Sequence, residues 1–230
     1  MGRRGTSVVE AVVALLLGLL LVHLGFTTLR RLDRFQEEAG RRQDALVASR
    51  IAGTVLRGEL ARTDGSWRVS DDSLALRAFR GTGVVCAVGP GADDVVVAYR
   101  GDRYGDPSKD SVEIVTTEGS VSVLALRSVA PSAVSCPGAL ADEEIRGWRV
   151  DGAVPVDAVL ARIFESGSYH LTGSALRYRI GAGGRQPLTP EVWRDATSGL
   201  VASDSVVMLE LTPLPGYGRG ASAFLGWVGR

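Results

Sequence analysis

The sequence predicts an α+β protein in which one long N-terminal helix packs on a largely antiparallel β-sheet. Three observations carry that expectation. Residues 11–29 form an almost unbroken run of Val, Leu and Ala. The stretch after it turns polar but keeps apolar residues at helical spacing to about Arg62. Beyond Asp64-Gly65-Ser66, short branched or aromatic runs alternate with Gly, Pro, Asp and Ser, the pattern of strands and turns. At 230 residues and 45% hydrophobic, the chain has room for one membrane segment and one medium domain with a packed core.

The apolar run is long enough to cross a membrane, since a helix rising 1.5 Å per residue needs about 20 residues to span the hydrocarbon. Its only titratable group is His23. A secretory signal has a shorter apolar part, about 7 to 15 residues, and a small-x-small cleavage site. Here the run ends in Gly25-Phe26-Thr27-Thr28-Leu29-Arg30-Arg31, so the anchor is expected to stay attached. Arg3 and Arg4 before the run are matched by Arg30, Arg31 and Arg34 after it, and charge bias leaves the orientation open.

The segment before the run is more specific. Met1-Gly2-Arg3-Arg4-Gly5-Thr6-Ser7-Val8-Val9-Glu10 is a short basic leader, a glycine, and a carboxylate five places later at the edge of the apolar helix. A charge at a membrane helix centre costs about 2.5 to 3.5 kcal/mol on insertion scales, so Glu10 calls for a cationic partner. Gly5-Thr6-Ser7-Val8-Val9-Glu10 followed by an apolar run resembles the prepilin peptidase motif of type IV pilins and type II secretion pseudopilins. That resemblance implies cleavage between Gly5 and Thr6 and N-methylation of Thr6, where the family usually carries phenylalanine. It also implies that Glu10 neutralises the N-terminal ammonium of a neighbouring subunit. The implied partners are the membrane, the prepilin peptidase, sister subunits and an assembly platform. The implied location is the bacterial inner membrane, single-pass, with the leader cytoplasmic and the C-terminal domain periplasmic.

The expected organisation is a leader at 1–5, a transmembrane helix at 6–29, an amphipathic helix at 30–64 and a β-rich domain at 65–230. On the second helix the apolar stripe reads Leu29, Leu32, Phe35, Ala39, Leu46, Ile51, Val55, Leu56 and Leu60, interrupted at the polar run 40–44, where Gly40 allows a bend. Such a stripe needs a sheet to cover it. Candidate strands are 73–80, 83–88, 95–100, 111–116, 120–127, 158–165, 168–172, 175–180, 206–212 and 223–228. Thr117-Glu118-Gly119 and Thr172-Gly173-Ser174 read as hairpin turns. The segments 168–178 and 185–188 resemble minor subunits of the J or W type, which implies a role in an initiating or tip complex.

The chemistry-bearing residues are sparse. Lys plus Arg and Asp plus Glu each total 26, so no bulk field favours nucleic acid, and no nucleic-acid partner is expected directly. Cys86 and Cys136 either close one disulfide around a loop of roughly 50 residues, worth about 2 to 4 kcal/mol outside the cytoplasm, or remain buried thiols. With only His23 and His170 and no CxxC pair, no metal site is expected. His170 reads as a hydrogen-bonded structural residue, since no nucleophile elbow or phosphate loop accompanies it. The glycine clusters at 181–184 and 216–220 read as flexible turns. Asp93, Asp94, Asp102, Asp106 and Asp110 read as a solvated loop neutralised by Arg100, Arg103 and Lys109, in preference to a calcium site. Trp67, Trp148, Trp193 and Trp227 read as core or interface anchors. The expectation is a structural subunit without enzymatic activity, cofactor or small-molecule substrate. The alternatives are a periplasmic binding domain on an uncleaved signal anchor, or an anchored hydrolase.

Overall fold

The computed structural model describes residues 8–65, 67–89, 91–181, 183–203, 206–219 and 221–227. Helix α1 (Val8–Leu60) runs for 53 residues without interruption, about 80 Å at 1.5 Å per residue. The expected transmembrane and amphipathic parts are thus one continuous helical rod, and Gly40 does not break it. The i,i+4 ion pairs Glu37–Arg41 (3.4 Å) and Glu38–Arg42 (3.5 Å) brace the turns around that glycine.

The domain covers only the last part of the rod. Its buried residues are Ala45, Ala48, Ala52, Gly53, Leu56, Glu59 and Leu60. The expected stripe holds at Leu56 and Leu60 but not at Leu46 or Ile51, which are 68% and 37% exposed. Alanines face the domain instead, because a helix that contributes to one core with residues of two sheets has space for small side chains only.

The strands are β1 (Trp67–Ser70), β2 (Ser73–Val88), β3 (Asp94–Gly101), β4 (Asp110–Thr116), β5 (Val121–Pro131), β6 (Glu144–Val150), β7 (Ala158–Thr172), β8 (Ala175–Ile180), β9 (Gln186–Pro187), β10 (Gly199–Ser203), β11 (Val206–Leu211) and β12 (Ala221–Trp227). All pairings are antiparallel. The first nine form one sheet in the order β1-β2-β3-β6-β5-β4-β7-β8-β9, and β2 also pairs with β7. That extra pairing closes β2, β3, β6, β5, β4 and β7 into a six-stranded barrel. The remaining three strands form a second sheet, β10-β11-β12. The α+β class thus holds, with a closed barrel that the sequence reading did not anticipate.

The expected strands 73–80 and 83–88 are one strand, β2, and 158–165 and 168–172 are one strand, β7. Gly81, Gly83 and Gly167 look like breakers, yet they make room for neighbours. A Cβ on Gly81 would lie 2.1 Å from the Tyr99 hydroxyl, and one on Gly167 would lie 2.4 Å from that of Tyr178. Strands β1, β6, β9 and β10 were not expected. Both expected hairpin turns are present: Gly119 has φ +80°, and Gly173 and Ser174 have φ +59° and +62°, the two left-handed residues of a tight β7–β8 turn.

Two hydrophobic cores result. One gathers Ala45, Ala48, Ala52, Leu56 and Leu60 of α1 with Leu74, Leu76, Tyr169, Leu171, Leu176, Trp193 and Leu209. The other fills the barrel with Val95, Val97, Tyr99, Val112, Ile114, Trp148 and Ile163 and contains no helix residue. Phe79 N–H donates to the Arg62 carbonyl at 2.9 Å, which sets this point of β2 level with the end of α1. Leu74, Leu76 and Ala78 lie alongside the helix, so the later part of β2, and the barrel with it, stands beyond the helix C-terminus.

Candidate functional site

Every residue of α1 from Val8 to Asp44 except Thr27 is exposed, although it includes an apolar segment long enough to cross a membrane. Glu10 sits on the surface of the first turn, where the helix dipole favours a carboxylate. Gly5 and Thr6 lie outside the described residues. A seven-residue spacing runs along this rod: Ala11, Gly18, Gly25, Leu32, Ala39 and Leu46, accompanied by Ala14, Leu21, Thr28 and Phe35 three places on. At 3.6 residues per turn these positions drift slowly round one side of the helix, and the next two places of the series, Gly53 and Leu60, are buried by the domain. Beyond the backbone of their own helix turns, an added Cβ on Gly18 or Gly25 would find no atom within 4 Å. The small residues Ala11, Ala14, Gly18 and Gly25 in the apolar run give this seam a surface suited to close approach by a second helix.

The foot of this rod is fastened by charges. Glu59, in the last turn of α1, receives Arg80 through two hydrogen bonds of 2.7 and 2.8 Å. Arg80 Nε reaches Glu165 of β7 at 3.3 Å. Glu165 also accepts from Arg103 at 2.9 Å and from the Tyr178 hydroxyl at 2.5 Å. Arg103 continues to Asp110 with bonds of 2.5 and 2.7 Å. The three carboxylates are buried and lie between the two apolar cores, linking α1, β2, β4, β7 and β8. Burial pushes the Glu165 carboxyl up, but the Tyr178 hydroxyl, Arg80, Arg103 and Lys109 outweigh it and hold the group below its ordinary range. Burial and the Glu165 hydrogen bond both push the Tyr178 phenol up. Tyr99, packed against Gly81 and Gly101, is pushed to about 12, chiefly by burial.

Two local irregularities make these contacts possible. In β2 the pairing with β7 shifts between Phe79 and Gly81, and the pairing with β3 shifts between Val85 and Ala87. The extra residues of the two bulges are Arg80 and Cys86. The first directs a guanidinium to the helix end; the second carries a disulfide to Cys136, 50 residues away, with Cα atoms 5.1 Å apart. Of the two states the sequence left open for the cysteines, the bonded one is present. It ties the long β5–β6 connection to the barrel wall.

Other sequence-predicted residues fall as follows. Asp110 does not belong to a solvated acidic loop: it is 3% exposed and paired with Arg103, because β4 starts there and turns its side chain inward. Asp102 pairs with Arg62 at 2.7 Å, and Asp94 with Arg149 at 3.0 Å. His170 is buried, with Nε2 2.9 Å from the Ser168 hydroxyl. Burial, with Arg185 and Arg179 nearby and only Asp72 opposing, holds its pKa below the ordinary histidine value. Trp148 and Trp193 are core residues and Trp67 packs at the edge of the first core. Among the described residues, no three His, Cys, Asp or Glu side chains group as a metal site. The residues that sequence reasoning missed are Glu59, Arg80 and Glu165. The available signal was a charge inside an apolar run, as in Ile163-Phe164-Glu165, which demands a partner once buried. No family model, curated protein or solved structure matches the chain.

Proposed function

We propose that the chain is a minor pilin or pseudopilin, a structural subunit that is clipped after Gly5 and assembled through α1 into a filament based in the inner membrane. The observation that carries this reading is the exposed rod. An apolar helix with Glu10 in its first turn continues well past membrane length, and its seam of small and apolar residues stays exposed as far as Leu46. Packing against sister helices would bury that seam, and the ammonium freed at Thr6 supplies the cation that a carboxylate at the lipid boundary requires. The barrel supports a position at the filament end. It extends past the C-terminus of α1, where a further subunit stacked above would otherwise stand. The globular domain lies in the periplasm, where the Cys86–Cys136 disulfide is stable.

Intact-mass analysis of protein from native membranes tests the reading. The expected mass lacks Met1 to Gly5 and carries one added methyl group. Substitution of Gly5 blocks clipping, whereas Glu10→Ala is clipped normally but fails to enter filaments. An unprocessed N-terminus would favour the signal-anchored binding domain, and normal assembly of Glu10→Ala would remove the charge-pairing account.

A further inference from the structure

The face of the large sheet turned away from α1 carries a cluster of arginines that the assembly reading does not use. Register places Arg68 of β1, Ala75 of β2, Ser168 of β7 and Arg179 of β8 in one cross-strand row, each the direct partner of the next. The adjoining row on one side holds Arg77 and Ser166. Arg68 and Arg179 are three strand spacings apart, about 14 Å, with only small side chains between them. A cavity of about 450 Å³ opens here, lined by Arg68, Ala75, Arg77 and Ser166, with Trp67 beside them.

The charges on this face are uncompensated. Cations and anions balance over the whole chain, yet Arg68, Arg77, Arg179 and Arg185 make no ion pair among the described residues. Of the neighbouring acids, Glu191 is taken by Arg177 at 2.9 Å and Asp72 lies towards His170. Arg77 is stacked over the Phe164 ring at 5.2 Å, which positions its guanidinium while leaving its N–H groups free. Two further nitrogens on the same face, Arg179 Nε and His170 Nδ1, are buried without a hydrogen-bond partner, a state that few buried polar atoms occupy.

We propose that this trough binds a phosphate-type oxyanion, clamped by Arg68 and Arg77 over a floor where Ser166 presents its hydroxyl group. Two guanidinium forks exceed what a carboxylate can use, since one fork saturates its two oxygens, whereas a phosphate offers more acceptors. Bilayer headgroups are out of reach. The domain first covers α1 at Ala45, 16 residues and about 24 Å past the end of the apolar run at Leu29, well beyond the screening length of about 8 Å. The source is therefore free phosphate or the phosphate groups of a phosphodiester polymer.

Titration calorimetry on detergent-solubilised full-length protein, unassembled, tests this apart from any filament. The probes are inorganic phosphate and a short oligothymidylate at one fixed ionic strength. Single-site binding is expected, weakened about tenfold or more in the Arg68→Ala/Arg77→Ala double variant and unchanged in Arg127→Ala, whose side chain pairs with Asp151. Oligothymidylate binding that is tighter than phosphate and displaced by it assigns the polymer; equal or tighter phosphate binding assigns the free anion. Should the double variant misfold, Arg77→Gln is expected to weaken binding in the same direction. Failure of both probes to bind, or undiminished binding in folded variants, overturns the proposal.

Discussion

Glu165 concentrates the energetics of the domain in one side chain. It receives Arg80, Arg103 and the Tyr178 hydroxyl while almost excluded from water. Its removal leaves Arg80 paired with Glu59 alone and Arg103 paired with Asp110 alone and takes the acceptor from the Tyr178 hydroxyl, and leaving a buried polar group unsatisfied in this way costs about 1 to 3 kcal/mol. Glu165→Ala is expected to lose stability of that order in urea denaturation. Because the folded-state pKa is lowered, the stabilisation is complete above the ordinary glutamate range and disappears as pH falls through the lowered value. Glu165→Gln is therefore expected to show a shallower acid transition than the parent protein. Legibility differed between carboxylates for a physical reason. Glu10 stands out because a charge beside an apolar run is anomalous within a few residues of sequence. Glu165 is joined to partners 62 and 85 positions away, and local patterns do not encode such pairings.

At the level of elements, β2 shows what a strand gains from irregularity. Its two bulges offset Arg80 and Cys86 from the ladder, and Gly81 beside the first bulge gives space to Tyr99. Adding one methyl at Gly81 forces that ring outward, an overpacking that costs about 1 to 3 kcal/mol. Thermal denaturation of Gly81→Ala is expected to show that loss, whereas Gly119→Ala meets no neighbouring atom and acts only through its positive φ. Glycine was the main obstacle to reading the strands, since the same residue marks a turn at Gly173 and a close approach at Gly81 and Gly167. Periodicity also misassigned part of the helix. Leu46 and Ile51 fit a core stripe by spacing, but the face that the domain covers is lined by Ala45, Ala48 and Ala52, and hydrophobicity alone ranks leucine above alanine.

For the whole molecule, the helix-on-sheet class was legible from composition and periodicity, and the barrel was not. Closure depends on the pairing of β2 with β7, strands about 85 residues apart in the chain, and no short-range signal announces it. Sharing these two strands makes the cores interdependent. Trp148 lies in the barrel core and Trp193 in the helix core, so variants retaining only one or the other are expected to report the same urea midpoint. Separate midpoints would show that the lobes unfold independently. The shared strands also govern the response to mechanical load. Tension drawn along α1 enters the domain at Glu59 and Arg62 and passes into β2, which runs on past the helix end paired with β1 and β3 on one edge and β7 on the other. Its ladder bonds are then strained together in shear instead of parting one at a time, so the region beyond the rod is built to resist tearing.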